Sequence, residues 1–326
     1  MTKIISVIGD SHTWGEGVGG EYSFNPSVCP GELRMLPFGN PGYVNLLRHA
    51  VNLSTGSSAK EYCGKKLHAL CEEAPDDFGY FRTLVLDETF SCLRIFFRLG
   101  TADASVQVYI DDELTDTVFL GAEEQTMNRC IKAYFCRARD DGKHTLRLVG
   151  ADGAKIGVHR IECYSGPYAV INCGVGSCPV TRYTNECFER YAAPLDPWMI
   201  VFEGCTINDW LTRETTDEYA AALRRLLAVM RNYTDKIVWH TVSPICGEQK
   251  TSEDAQPYDA YVETMRQVAR ENSLPLVDCN RLMKEALASV NPDRHAQMLF
   301  HDRWHPNGTG HYLYAESIFE VIGKML

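Results

Sequence analysis

The chain has 326 residues, of which 45% are hydrophobic and 23% are charged, a composition typical of globular domains that bury a core. The formal net charge of −11 works against binding to a nucleic-acid backbone or to an anionic membrane surface, so we expect neither as a partner. No apolar run approaches the length of a membrane span. Because an apolar segment begins within a few residues of Met1, we expect no signal peptide and a cytoplasmic location.

The first predicted element is a strand at residues 4–8, an apolar run that ends in Gly9, Asp10 and Ser11. The run is typical of a strand buried on both faces, and Gly9 permits a sharp turn at its end. Reactive groups of open α/β sheets collect at the carboxyl ends of the strands, so Ser11 is a candidate nucleophile. After a loop rich in Gly and Pro, apolar spacings of three and four predict a helix at residues 42–50.

From about residue 52 to residue 165 the apolar residues alternate with a period of two, which predicts an antiparallel β-sandwich of jelly-roll type. The alternating residues are Leu93, Ile95, Phe97, Leu99, Val106, Val108, Ile110, Ile131, Ala133, Phe135, Leu146, Leu148, Ile156 and Val158. We expect turns at residues 140–142 and 151–153. Phe96, Tyr109 and Tyr134 fall on the other side, which we interpret as a face packed on the catalytic domain or in a homo-oligomer; a sugar-stacking platform is the alternative.

After residue 168 the pattern returns to that of an α/β protein. Further buried strands are predicted at residues 169–171, 199–202, 237–239 and 276–277, with helices at residues 218–231 and 258–271. Together with the first strand they predict a flavodoxin-like, three-layer α/β/α fold with a five-stranded parallel sheet. The catalytic domain is then discontinuous, with residues 1–51 and 166–326 on either side of a domain inserted at 52–165.

Small and polar residues follow the later strands as well. The segments 172–177 and 203–210 contain glycines whose backbone N–H groups can hold an oxyanion, and Asn208 adds a side-chain donor. Near the C-terminus, Asp302 precedes His305 by three residues. In a tight turn, that carboxylate can accept a hydrogen bond from Nδ1 of the imidazole and leave Nε2 free to face a hydroxyl.

These four blocks, in this order, resemble the SGNH subgroup of the GDSL esterases and acylhydrolases. The resemblance implies that Ser11 is the nucleophile and that Asp302 and His305 complete a catalytic triad. It also implies an oxyanion hole formed by the backbone N–H of Ser11, a backbone N–H of the second block and the amide of Asn208.

The sequence departs from the family pattern in two blocks. In the second block the backbone donor belongs to Gly176 or Ser177, and the family usually has glycine where Ser177 stands. In the third block Gly204 lies four residues before Asn208, whereas the family usually has Gly-x-Asn-Asp. The resemblance covers about two thirds of the chain and leaves out the inserted domain.

The resemblance implies a serine esterase that hydrolyses short acyl esters, among them O-acetyl groups on carbohydrate, through an acyl-enzyme. The expected partner is a small-molecule or oligosaccharide ester, and no metal or organic cofactor is implied. A protein of another class stays open as the alternative. In that interpretation the β-sandwich binds carbohydrate or acts as a scaffold, and catalysis is weak or lost.

Two shorter motifs suggest other functions, and we reject both on their context. Residues 15–20 satisfy G-x-G-x-x-G, but the residues that follow do not begin the helix that a dinucleotide site needs. His301 and His305 have the spacing of a zinc-binding helix, but Pro306 disfavours a helical conformation at His305.

Three polar residues beside the blocks have less defined predicted roles. We interpret His12 as a packing or rim residue, because on an extended backbone it would point away from Ser11. For Glu203 and Asp209, support of the site residues and a cap or surface role are equal alternatives.

Overall fold

The structure is a computed structural model. It describes residues 1–18, 38–77, 79–99, 103–121, 131–246, 256–291 and 298–326. The chain divides into two compact units. One contains Ser54–Ala169 together with Met1–Thr2, and the other contains the chain from Lys3 through the first helices and Val170–Leu326. Within the described ranges, none of the helices is both long enough and apolar enough to cross a membrane.

The strands, in chain order, are β1 (Lys3–Gly9), β2 (Ser58–Cys63), β3 (Tyr80–Phe81), β4 (Thr83–Arg98), β5 (Ala104–Ile110), β6 (Glu113–Leu120), β7 (Ile131–Gly150), β8 (Ile156–Ser165), β9 (Tyr168–Gly174), β10 (Met199–Glu203), β11 (Ile237–His240) and β12 (Leu276–Val277). The α-helices are α1 (Ser11–Trp14), α2 (Tyr43–Thr55), α3 (Gly64–His68), α4 (Val180–Arg182), α5 (Thr206–Leu211), α6 (Thr216–Arg231), α7 (Tyr258–Glu271), α8 (Cys279–Ala288) and α9 (Gly308–Ile322). A π-helical segment follows α4 at Tyr183–Ala192.

The second unit is built on a five-stranded parallel sheet with the order β12-β11-β10-β1-β9. This confirms the predicted α/β fold and its five strands. The central strands β1 and β10 are buried over almost their whole length, as their continuous apolar sequence requires. Helix α6 begins at a capping box: the Glu218 backbone N–H donates to the Thr215 hydroxyl, and the Thr215 backbone N–H donates to the Glu218 carboxylate. Helix α7 has the predicted bounds.

The first unit contains the predicted antiparallel β-domain. Hydrogen bonds join its strands in the order β2-β8-β4-β7-β5-β6, and β3 pairs with β8. Its core includes the predicted inward residues of β4, β5 and β8, among them Ile95, Val108 and Val158. The inserted segment enters and leaves through paired strands, because Ser58 of β2 lies opposite Ser165 of β8 and their hydroxyls are 2.7 Å apart.

The prediction for β7 is wrong in two respects. No turn forms at residues 140–142, because β7 continues through them as one strand. The side that faces the core is that of Tyr134 and Cys136, not that of Ala133 and Phe135. Tyr134 lies opposite Ile95 in the register and packs on the core, so it is not part of an outward aromatic face.

A β-bulge interrupts the pairing of β4 with β7. The register of β4 against β7 shifts between Phe90 and Cys92. Core-facing residues of β4 are therefore even-numbered before the bulge, as in Leu86, and odd-numbered after it, as in Ile95. On the opposite strand, Gly142 pairs with Phe90 and Arg137 with Cys92, so β7 spans five residue steps where β4 spans two. The core-facing residues of β7 are even-numbered on both sides of this point, as in Cys136 and Leu146.

Candidate active site

Ser11 stands at the carboxyl end of the central strand β1, as the first residue of α1. The turn into this helix has no room for a side chain at Gly9, where a Cβ atom would lie 2.2 Å from Thr13 Oγ1 and 2.4 Å from Glu203 Oε2. Asp10 caps the helix by accepting a hydrogen bond from the backbone N–H of His12 at 3.0 Å. The Ser11 side chain is thus presented on a rigid turn and is 5% exposed.

His305 lies against this serine. Its Nε2 is 3.0 Å from Ser11 Oγ, and its Nδ1 is 2.8 Å from Asp302 Oδ2. The turn that carries both residues is closed by a hydrogen bond from the His301 N–H to the His305 carbonyl, 2.9 Å. His301 and His305 therefore lie on a tight turn and do not share a helical face, as the sequence predicts.

The other oxygen of Asp302, Oδ1, accepts hydrogen bonds from the backbone N–H groups of Trp304 at 2.7 Å and His305 at 2.8 Å. Partial burial raises the pKa of this carboxyl, but its bonds to His305 and Trp304 outweigh that effect and hold the pKa well below the usual range. Asp302 is consequently an anion that accepts the Nδ1–H of His305 and fixes the tautomer of the ring.

A second carboxylate near His305, that of Glu16, was missed by the sequence analysis. Glu16 Oε2 lies 3.6 Å from His305 Nε2, and the side chain is mostly buried. The backbone carbonyl of Glu16 accepts a hydrogen bond from His311 Nε2 of α9 at 2.9 Å. Glu16 is the second residue of the G-x-G-x-x-G motif, whose last two glycines lie outside the described residues.

Asn208 lies on α5, and its side-chain amide donates a hydrogen bond from Nδ2 to Asp10 Oδ2 at 2.5 Å. The unusual spacing after Gly204 is absorbed by Cys205, which has a left-handed backbone with φ 51° immediately before the helix. An amide nitrogen carries two hydrogens, so this contact with Asp10 uses one and leaves the second available for another acceptor.

The second block packs against the helix that begins with Ser11. Asn172 Nδ2 donates to the Thr13 carbonyl at 2.9 Å, and the Val175 N–H donates to the Gly9 carbonyl at 2.9 Å. Further along the same loop, Gly176 is buried and Ser177 is exposed. Ser177 has φ 55°, so a residue other than glycine adopts the left-handed conformation at this point of the loop.

A buried cluster of three ionisable side chains, Asp10, His12 and Glu203, lies directly behind Ser11. Asp10 Oδ1 is 2.9 Å from His12 Nδ1, and the Asp10 backbone N–H donates to Glu203 Oε2 at 2.8 Å. His12 Nε2 is 2.9 Å from the carbonyl of Trp304. All three side chains are at most 1% exposed.

The charges in this cluster follow from its contacts. Burial raises the pKa of Asp10, but the charge and hydrogen bonds of His12 have a larger, opposite effect. The pKa of Asp10 therefore lies below its usual value. Burial lowers the pKa of His12, and Asp10 and Trp304 more than offset that effect. Burial and the Asp10 charge together raise the pKa of Glu203 well above its usual value. These shifts favour an Asp10 anion, a His12 cation and a neutral Glu203.

Ligand atoms of these three residues lie within 4.8 Å of one another, which is close enough to hold a metal ion. However, the carboxylate of Asp10 and both ring nitrogens of His12 are engaged in the hydrogen bonds described above. The anion and the cation of the cluster neutralise each other, so its charge balance requires no ion.

Of the two roles predicted for His12, packing and rim, the rim role is wrong, because the side chain is buried and the backbone is not extended. Residues 11–14 form α1 instead, and this conformation turns the His12 ring inward toward Asp10. A surface role is also wrong for Glu203 and Asp209, since both are fully buried. Asp209 Oδ2 accepts a hydrogen bond from the Val180 N–H at 3.0 Å and so connects α5 to the segment after Ser177.

Serine, histidine and aspartate in one hydrogen-bonded line, at the carboxyl end of a parallel α/β sheet, is an arrangement typical of serine hydrolases. Residues 158–313 match the model of the GDSL-like Lipase/Acylhydrolase family. The chain carries a GDSL-like acylhydrolase domain and is a carboxylic ester hydrolase, which confirms the family predicted from the sequence. The matched range contains Asn208, Asp302 and His305 and does not reach Ser11.

Several solved structures are similar to the chain. LAE5, an alpha/beta hydrolase enzyme from the metagenome of Lake Arreo in Spain, is 14% identical with a TM-score of 0.49, over 99% of this chain and 96% of LAE5. Protein YxiM from Bacillus subtilis is 12% identical with a TM-score of 0.46, over 82% and 88% of the two chains. Axe2, an acetylxylan esterase from Geobacillus stearothermophilus, is 22% identical with a TM-score of 0.41, over 48% and 73%. Among curated proteins the sequence finds no match.

Proposed function

We propose that the chain hydrolyses carboxylic esters by nucleophilic catalysis, with Ser11 as nucleophile, His305 as general base and Asp302 as the group that orients the base. The observation that carries the proposal is the continuous line of contacts from Ser11 Oγ to His305 Nε2, 3.0 Å, and from His305 Nδ1 to Asp302 Oδ2, 2.8 Å. The Asp302 anion fixes the Nδ1–H tautomer, so Nε2 is the nitrogen that can accept a proton.

In the first half-reaction, Ser11 Oγ forms a bond to the ester carbonyl carbon while its proton moves to His305 Nε2. The carbonyl oxygen then carries the negative charge. As the tetrahedral intermediate collapses, the bond to the alcohol oxygen breaks, and that oxygen takes the proton from His305. A water molecule repeats the sequence on the acyl-enzyme and releases the acid and free Ser11.

Donors for the oxyanion are proposed from three segments. These are the backbone N–H of Ser11, a backbone N–H of Gly176 or Ser177, and the second amide hydrogen of Asn208. The bond from Asn208 to Asp10, 2.5 Å, supports this role because it fixes the plane of the amide. The anchoring of the loop at Val175 to the Gly9 carbonyl supports a place for Gly176 beside the nucleophile turn.

For the substrate we propose short acyl esters, with O-acetyl groups on carbohydrate as the first class to test. The sequence resemblance to the GDSL esterases motivates this choice. Trp304, which directly precedes His305, is half-buried, and its ring packs at 5.7 Å from the ring of the buried Trp210. A short acyl chain or a sugar ring can pack against Trp304.

The test is hydrolysis of p-nitrophenyl acetate, butyrate and octanoate and of acetylated xylo-oligosaccharides by the parent protein and by Ser11→Ala. We expect acetate to be the best aryl ester, and we expect Ser11→Ala to lower kcat/KM by about 10⁴-fold or more with an unchanged circular dichroism spectrum. Near-normal turnover by folded Ser11→Ala would contradict the assignment of the nucleophile. Preference for octanoate would contradict the proposed acyl class.

A further inference from the structure

The carboxylate of Asp10 is shared between two side chains. Its Oδ2 accepts from Asn208 Nδ2 at 2.5 Å, and its Oδ1 accepts from the backbone N–H and the Nδ1 of His12, at 3.0 Å and 2.9 Å. Because the two oxygens belong to one rigid plane, the bonds from His12 set the direction in which Asp10 holds the amide of Asn208.

The other nitrogen of His12 reaches the turn that carries the general base. His12 Nε2 is 2.9 Å from the carbonyl of Trp304, the residue directly before His305. The Ser243 hydroxyl donates to the same carbonyl at 3.1 Å. The buried His12 side chain thus contacts Asp10, which holds the amide of Asn208, and also the turn that carries His305.

Only a protonated imidazole can serve both contacts, because Asp10 Oδ1 and the Trp304 carbonyl are both acceptors. The groups that face His12 favour this state. The Asp10 and Glu16 carboxylates raise its pKa against the effect of burial, and the Ser243 hydroxyl lies 3.3 Å from its Nε2.

Neighbouring imidazoles do not compete with this charge. His240 and His311 have pKa values that burial lowers to about 3, so both are neutral. The ring of His305 lies 5.3 Å from that of His12, and its Nδ1 is committed to Asp302.

We propose that His12 is a positioning residue for ester hydrolysis, holding Asp10 toward Asn208 with one nitrogen and the turn of His305 with the other. This rests on the proposed function, in which Asn208 stabilises the oxyanion and His305 is the base. Misplacing such groups by about 1 Å can cost on the order of 10²-fold in rate. His12 contacts no reacting atom, so its removal is expected to lower kcat and leave KM nearly unchanged.

Two isosteric substitutions separate the two contacts. In His12→Asn the amide nitrogen lies near the position of Nδ1 and keeps a donor for Asp10, whereas in His12→Gln it reaches the position of Nε2 and keeps a donor for the Trp304 carbonyl. His12→Leu removes both. We expect kcat on p-nitrophenyl acetate to fall by about 10- to 10²-fold in His12→Leu and by less in each amide variant, with KM within about threefold.

A double-mutant comparison assigns each loss to its contact. In an Asn208→Ala background, His12→Gln should cost little, because the amide that Asp10 positions is already absent. His12→Asn should cost the same in both backgrounds, because its defect lies at the turn of His305. If His12→Gln lowers kcat by the same factor in the parent and in the Asn208→Ala background, as His12→Asn does, the link between His12 and Asn208 is overturned.

The charge of His12 has a readout that needs no activity. In the parent protein labelled with ¹⁵N-histidine, we expect the ring of His12 at pH 7.5 to have both nitrogens protonated, and we assign its signals by their disappearance in His12→Asn. A neutral His12 in the folded parent would overturn the proposal even if none of the variants folds.

The outcomes also separate this inference from the function on which it rests. If folded Ser11→Ala keeps its activity, the proposed nucleophile is wrong. If Ser11→Ala is inactive while folded His12→Leu keeps kcat within twofold of the parent, the nucleophile stands and the positioning role of His12 is overturned.

Discussion

Two Asp–His pairs lie side by side in the candidate active site, and their surroundings differ. In each pair a carboxylate oxygen contacts Nδ1 of the imidazole, at 2.8 Å for Asp302 and His305 and at 2.9 Å for Asp10 and His12. The Asp302 side chain is 41% exposed, whereas that of Asp10 is fully buried. The pairs also differ at Nε2, which faces the Ser11 hydroxyl in one and the Trp304 carbonyl in the other.

The difference shows that the partner at Nε2, more than the carboxylate, decides what an Asp–His pair does. A hydroxyl can give its proton to a neutral ring, so the pair of His305 can act as a base. A carbonyl can only accept, so the pair of His12 keeps its proton and holds its neighbours in place. Solvent reaches the pair of Asp302 and His305, which allows His305 to exchange its proton. Solvent does not reach the pair of Asp10 and His12, which helps His12 to keep its proton.

The largest effect is expected from reversing the donor at Asp302. In Asp302→Asn the side-chain oxygen still accepts from the N–H groups of Trp304 and His305, but the amide nitrogen now donates to Nδ1. That bond favours the tautomer whose Nε2 carries the proton and cannot accept one from Ser11. We expect kcat to fall by about 10³- to 10⁴-fold with little loss of stability, measured by p-nitrophenyl acetate hydrolysis and thermal unfolding.

A smaller effect on kcat is expected from removing the amide of Asn208, which is bonded to Asp10. Asn208→Ala should lower kcat by about 10²- to 10³-fold and change KM much less, if the second amide hydrogen meets the developing oxyanion. Asn208→Asp is the matched variant, because it keeps the size but places an acceptor against Asp10. A kcat within a few-fold of the parent in Asn208→Ala would mean that its amide serves Asp10 alone.

Asp209 is a buried carboxyl that, unlike Asp10 and Asp302, has no histidine among the causes of its pKa shift. Burial raises the pKa of Asp209 to about 8, whereas its usual value is 3.8. Between these values the folded state holds a proton that the unfolded state has lost, so stability falls as pH rises from about 4 to 8, by at most about 1.4 kcal/mol per pH unit.

Asp209→Asn cannot titrate, and its side-chain oxygen can still accept the N–H of Val180. We expect the variant to gain stability relative to the parent as pH rises through this window, measured by urea unfolding at pH 4, 6 and 8. Parallel stability curves for the two proteins would mean that Asp209 ionises normally in the folded state.

The smallest effect on the chemistry is expected from removing the inserted domain. Both Asp–His pairs belong to the unit that contains Val170–Leu326, and Ser58 and Ser165 face each other where the insert begins and ends. A short Gly/Ser linker in place of residues 59–164 should leave turnover of p-nitrophenyl acetate within a few-fold of the parent.

The truncated protein also tests what the insert does. Loss of activity on acetylated oligosaccharides alone would assign the insert to recognition, and a changed oligomeric state would assign it to assembly. Failure of the truncated chain to fold would contradict the autonomy of the two domains.

The sequence predicts the parallel sheet well, because each of its strands is buried on both faces and reads as a continuous apolar run. Strands β9 to β12 lie where these runs occur, and α7 has the predicted bounds. The antiparallel domain is predicted less well, since alternation reports only which side a residue takes. The register shift between β4 and β7 changes which residues lie on that side, and a single sequence does not show where such a shift falls.

The residues of the candidate site also differ in how well the sequence predicts them. Ser11, Asp302 and His305 can be found from the sequence because each lies in a short block with a local signature. The role of His12 depends on its own contact with Trp304, on the contact of Asp10 with Asn208, and on a helical turn of only four residues. No local pattern in the sequence signals these contacts, although His12 directly follows the candidate nucleophile.

The contact between Ser11 and His305 joins residues 294 positions apart in the chain. At ribosomal speeds of about 5–20 residues per second, roughly 15 to 60 seconds pass between synthesis of the two. Throughout that interval the emerging polypeptide holds a serine without its base, and the buried pair of His12 also lacks the Trp304 carbonyl. The nascent chain therefore cannot form the line of contacts from Ser11 to Asp302 until His305 has been synthesised.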